Sequence, residues 1–178
     1  MILVYNNLYM STFSELTEHM LTPHSRSNLL DIKIVVNLTE RDQLSSEQSL
    51  QLLKLGIKSH NFFDNKDLIN IKKIKPDCRT DTQTLLRSKI RESILLSKLK
   101  YIKDLCNQEN IILFVCNENN VLAPLFIMIV MSLEGHYETA LEILNDSNII
   151  KQRKKAVIRI YLDKYLELIY NKLNEISK

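Results

Sequence analysis

Glycine is nearly missing from this chain: Gly56 and Gly135 are the two in 178 residues. Nucleotide loops of the Gly-rich kinds need several glycines at fixed spacing, for tight turns and close backbone approach to phosphate. The common ATP- and dinucleotide-binding folds are therefore excluded. Cysteine is also scarce. Cys78, Cys106 and Cys116 are odd in number and have no framework spacing. Cys106 and Cys116 stand in apolar surroundings, as reduced buried thiols do. This pattern implies an intracellular protein, cytoplasmic by default. His19, His24, His60 and His136 have no metal-ligand spacing with Cys, Asp or Glu, so no metal and no other cofactor is expected. The longest apolar run, from Val121 to Leu133, is too short for a membrane span and suits a buried helix. Met1–Tyr5 is apolar, but Asn6 and Asn7 end that run too early for a secretory leader.

What remains is ordinary for a globular protein. Hydrophobic residues make up 45% and charged residues 25%, which suits one domain over residues 1–178 with a sizeable core. The formal net charge of +3 is too small to imply a nucleic-acid partner by itself. Heavy use of Ile, Asn and Lys points to an AT-rich genome, such as that of a large DNA virus or a protozoan.

Short strands are predicted at Leu3-Val4-Tyr5 and Leu8-Tyr9-Met10, around the turn-prone pair Asn6-Asn7. Thr12, with Glu15 three residues on, predicts a capped helix start, and Pro23 ends that segment. Ile32 to Leu38 is β-branched and apolar, as a buried strand requires. Ser45 to Leu55 predicts a short helix stopped by Gly56. Ile57 to Phe63 predicts another strand, with a polar loop from Asp64. From Thr82 to Leu105, apolar residues recur at helical spacing, which predicts one long amphipathic helix. Ile111 to Val115 predicts the central strand. Ala123–Leu133, His136–Leu144 and Lys151–Ile176 predict three more helices. Strands alternating with helices imply an α/β domain with a central, mostly parallel sheet flanked by helices. Its ligand crevice should lie at the strand C-termini.

The stretch from Ile111 to Leu125 places an apolar strand, then Cys116, then a short polar loop, then an apolar helix. That layout resembles the signature loop of cysteine-dependent, dual-specificity protein phosphatases. Other segments are similar in order and spacing. Asn7 to Ser11 is similar to the family's opening strand. Asp31 to Thr39, with its Val36-Asn37-Leu38 ending, is similar to the strand that follows. Phe62-Phe63-Asp64 falls where the general-acid loop lies. The resemblance covers essentially residues 1–170 and implies a protein tyrosine phosphatase-like fold.

The family motif is His-Cys, five residues, Arg, then Ser or Thr. Cys116 occupies the nucleophile position, but Val115 stands at the His, Asn119 at a loop glycine, Leu122 at the Arg and Ala123 at the hydroxyl residue. The thiolate needs a nearby cation to form near neutral pH, since a free thiol titrates at about 8.5. The Arg also stabilises transition-state charge in comparable phosphoryl-transfer sites. Leu122 does neither, and no basic residue lies between Asn117 and Leu125. Glu118 adds a negative charge that repels a dianion. Asp64 at the general-acid position then has no reaction to serve, and reads instead as a solvated loop carboxylate near Lys66 and Asp67.

The expectation is a catalytically inactive phosphatase-like protein, not an enzyme, acting as a scaffold, competitor or assembly factor. Its loop Asn117, Glu118, Asn119, Asn120, Val121 and Leu122 would be a polar surface feature or a contact for another protein. Lys151, Arg153, Lys154, Lys155 and Arg159 form a basic cluster that reads as a solvated helix face or as a partner-binding site. Lys72, Lys73 and Lys75 form a second cluster, and Arg87, Lys89 and Arg91 a third. Two alternatives stay open: a phosphate- or phosphoprotein-recognition module without turnover, and a nucleic-acid-binding accessory protein using the basic clusters. A homo-oligomer is compatible with either. Tyr161 and Tyr165 share one face of the last helix, where core packing is the default and an interface the alternative.

Overall fold

The two strongest β signals, Ile34–Asn37 (β3) and Ile112–Cys116 (β5), fold as inner strands of a five-stranded sheet. The computed structural model describes residues 1–22, 27, 29, 31–39, 42–72, 89–90, 92–106, 110–117, 122–146 and 152–176. Ile2–Tyr5 (β1) and Leu8–Thr12 (β2) form a hairpin, with Asn6 at φ +41° in the turn. Lys58–Asn61 (β4) closes the opposite edge. The strand order is β1-β2-β5-β3-β4. Only the β1–β2 pair is antiparallel; β2–β5, β5–β3 and β3–β4 are parallel. The register sets Thr12 beside Cys116 and Asn37 beside both Val115 and Asn61.

Alternation along the inner strands divides the core into two layers. Val35, Leu113 and Val115 face one side, under Phe13–Leu21 (α1) and Ser46–Lys54 (α2), where Leu16, Met20 and Leu52 cover them. Val36, Ile112, Phe114 and Cys116 face the other side. That side carries residues 92–97 (α4), Leu99–Cys106 (α5), Leu122–Leu133 (α6), Tyr137–Asp146 (α7) and Gln152–Ile176 (α8). The outcome is helices on both faces of a mostly parallel sheet, the layered arrangement that buries both faces of parallel strands.

Helix α6 is apolar around its whole circumference because it is enclosed: Ala123 through Ser132 are all buried. Pro124 sits in its first turn, where the missing N–H had no helical partner to lose. The chain's two glycines both end helices. Gly56 (φ +78°) follows α2, with Gly56 N–H donating to Leu53 O and Ile57 N–H to Leu52 O. Gly135 (φ +89°) follows α6, with the same pair of bonds to Ser132 O and Met131 O. These are left-handed glycine caps that satisfy the last carbonyls of each helix.

Two expectations are corrected. The loop predicted from Asp64 is instead a helix, Asn65–Lys72 (α3). Asp64 caps it: Asp67 N–H donates to Asp64 Oδ1 at 2.8 Å, and Asp64 N–H donates back to Asp67 Oδ2 at 3.1 Å. That reciprocal pair satisfies two otherwise orphaned donors, which a polar composition alone did not advertise. The single long helix predicted up to Leu105 is broken at Lys98, which is a turn between α4 and α5. Lys98 Nζ donates to Asp67 Oδ2 at 2.7 Å and to the Phe62 carbonyl, and lies 5.0 Å from the Phe62 ring centre. The part of that prediction from Thr82 to Ser88 lies outside the described residues.

Candidate functional site

Cys116 ends the central strand, at the sheet edge where parallel α/β folds place their ligands. Its side chain turns toward the α6 layer and is buried, 8% exposed. Val115, at the position a catalytic histidine would take, points the other way and is fully enclosed in the α1–α2 layer. Asn117 follows and is half-buried; Glu118, Asn119, Asn120 and Val121 lie outside the described residues. Leu122 then opens α6.

The structure brings Leu122 together with the segment expected to carry a general acid. Leu122, Phe62, Phe63, Leu125, Phe126 and Tyr165 line a small apolar cavity of about 30 Å³. Phe62 stands edge-on to Phe126 at 4.7 Å and to Phe63 at 5.3 Å between ring centres. Leu122 packs against the main core cluster, so the head of α6 carries an aliphatic contact at the position expected, from the resemblance, to hold a guanidinium. Asp64, the next residue along the chain from Phe63, is exposed. Its carboxyl is held below the usual range, first by the Asp67 amide and then by the charge of Lys98. An acid held ionised is poorly suited to donate a proton near neutral pH.

Two polar networks lie at this end of the sheet, on the strands either side of β5. On the β2 side, Thr12 Oγ1 accepts from Glu15 N–H at 3.1 Å, and Glu15 Oε2 accepts from Thr12 N–H at 3.1 Å and from the Ser11 hydroxyl at 2.6 Å. The Ser11 hydroxyl is the main reason the Glu15 carboxyl is held below its usual value. On the β3 side, buried Asn37 donates to Asp42 O at 2.8 Å and to Asn61 Oδ1 at 2.9 Å, and accepts from Thr39 N–H at 3.1 Å. Asn61 in turn exchanges two bonds with the Leu44 backbone. Sequence spacing named Thr12 and Glu15 but not this asparagine pair. Their partnership arises from strand register, with Asn37 and Asn61 side by side on β3 and β4.

Of the basic cluster at the start of α8, Lys151 and the side chains of Arg153 and Lys154 lie outside what is described. Lys155 Nζ donates to the Asn145 carbonyl at the end of α7, and Arg159 is exposed. In the second and third clusters only the exposed Lys89 has a described side chain. Tyr161 and Tyr165 do share a face, stacked with centres 5.8 Å apart, and Tyr165 also lines the cavity. Among the described residues there is no group of three or more His, Cys, Asp or Glu side chains able to hold a metal. Among them, too, no helix is long and apolar enough to cross a membrane.

No family model, curated protein or solved structure matches the chain.

Proposed function

We propose that this chain is a catalytically inactive domain of the protein tyrosine phosphatase-like, dual-specificity kind, and that it works by contact with another protein. The reading rests on one observation above all: the residue that opens α6 after the Cys116 loop is Leu122, and it packs into the apolar core beside Phe62 and Phe63. Three further features support it. Cys116 sits at the C-terminal end of a central parallel strand that leads into a buried helix. Val115 is committed to the opposite core layer, where it cannot polarise the thiol. Asp64 serves as a helix cap.

Without a cation at the head of α6, nothing described at this edge compensates a bound phosphate dianion or the charge that develops as phosphoryl transfers. The loop's chemistry is then available for recognition. The test is turnover of an aryl phosphate by the purified chain, with Cys116→Ser as the background. The expected rates are equal. Turnover by the natural chain that disappears in Cys116→Ser would sink the proposal.

A further inference from the structure

Helix α2 carries leucines on both of its sides. Leu52 is buried against the sheet, whereas Leu50 is 52% exposed and Leu53 is 60% exposed. At about 100° per residue, Leu53, Ser46, Leu50, Lys54 and Glu47 follow one another around the outer face. All five are exposed. The face thus carries Leu53 and Leu50 with Ser46 between them, flanked on the Leu50 side by a lysine and a glutamate two turns apart. Ser45 and Gln48 lock the first turn through a reciprocal capping box, and Gly56 locks the last, so the face is displayed on a fixed helix.

We propose that this face binds a second copy of the chain, α2 against α2, antiparallel about a two-fold axis. The order of charges carries the choice of occupant. A two-fold axis across the helix brings the same flank of both helices together. Glu47 then meets the partner's Lys54, and Lys54 meets the partner's Glu47. Leu50 lies near the axis, against the partner's Leu50 and the partner's Leu53. A parallel two-fold pairing would set the charged flank of each helix against the partner's Ser46 and the partner's Leu53, leaving Glu47 and Lys54 with no opposite charge across the seam, so the helix is its own complement in one orientation only. The inference is independent of whether the Cys116 edge is catalytic.

The test is sedimentation equilibrium of the full chain over a wide concentration series. The natural chain is expected to dimerise and Leu50→Asp to remain monomeric. Glu47→Lys and Lys54→Glu, singly, turn two ion pairs repulsive at once and should each weaken the dimer by about tenfold or more. The combined swap, Glu47→Lys with Lys54→Glu, should recover most of that loss. Circular dichroism on each variant establishes that α2 still folds, since the reversed charges oppose the helix dipole. A natural chain that stays monomeric at every concentration overturns the proposal and leaves the face to a different protein. So does a dimer that survives Leu50→Asp, or a double swap no stronger than the single ones.

Discussion

Replacing Asn37 by alanine should unfold this protein far more readily than the loss of one polar side chain suggests. Asn37 is fully buried and makes three hydrogen bonds at the edge beside Val115. After truncation, Asp42 O keeps the Thr39 hydroxyl and Asn61 Oδ1 keeps Leu44 N–H. The Thr39 amide keeps no partner among the described residues, and Thr39 is itself fully buried. An orphaned buried donor costs about 1–3 kcal/mol, and the void left by the carboxamide adds about 1 kcal/mol. The expected loss is therefore about 2–4 kcal/mol, which for a chain of this length lowers Tm by roughly 5–15 °C. Urea unfolding followed by circular dichroism measures it, with an unchanged m-value showing that the unfolded state is not the cause. Asn37→Asp should be worse, because it points a carboxylate at two acceptors in a site closed to bulk solvent. A loss below about 0.5 kcal/mol for Asn37→Ala would refute the account, since surface substitutions alone produce that much.

Four other outcomes follow from the same reasoning. Glu15 is held below its ordinary value of 4.5 chiefly by Ser11, so its contribution is present above that pH and is lost as pH falls through the lower folded value. Glu15→Gln should flatten the decline of Tm with acidification below that pH, and an unchanged slope would contradict the assignment. Lys98→Met removes charge-assisted bonds to Asp67 and the Phe62 carbonyl and should cost about 2 kcal/mol, much less when Asp67→Asn is already present. The Tyr101 hydroxyl is buried without a partner among the described residues, so Tyr101→Phe should leave urea stability unchanged or raise it by up to about 1 kcal/mol. Gly56→Ala meets open space but must adopt φ +78°, and should lower stability by about 1 kcal/mol, with asparagine better tolerated there.

Elements whose signal is local could be read from the sequence, and elements fixed by distant partners could not. Thr12 and Glu15 announced a helix start because both halves of a capping box lie three residues apart. Ile112 to Cys116 and the run after Leu122 were legible because buried strands and enclosed helices are apolar throughout. The same box logic applies at Ser45 and Gln48, and at Asp64 and Asp67, yet the second pair introduces too few apolar residues for periodicity to register α3. The break at Lys98 was invisible for another reason. Periodicity continues across it, and the turn is held by a lysine reaching Phe62 and Asp67, about 30 residues or more away. At the candidate site, the substitutions at Val115 and Leu122 could be read by position alone. Their commitment to opposite core layers needed the strand's pleat and the packing of α6.

The placement of β5 also governs how the chain must fold. Leu8 pairs with Ile112, about a hundred residues later, and Ile34 pairs with that same residue from the other side. β2 and β3 have no ladder to each other, so the sheet cannot grow outward from its N-terminal half. Among the described strands, the last to be synthesised is the one that fills the middle. Closing so distant a contact is slow, because the loop entropy is lost before any pairing is gained. Until β5 arrives, a nascent chain displays two unsatisfied strand edges, one at β2 with Leu8, Tyr9 and Met10 and one at β3 with Ile34, Val35 and Val36. Fragments ending before Ile112 are then the species most prone to aggregate, and the ribosome must release most of the chain before its central slot can be filled.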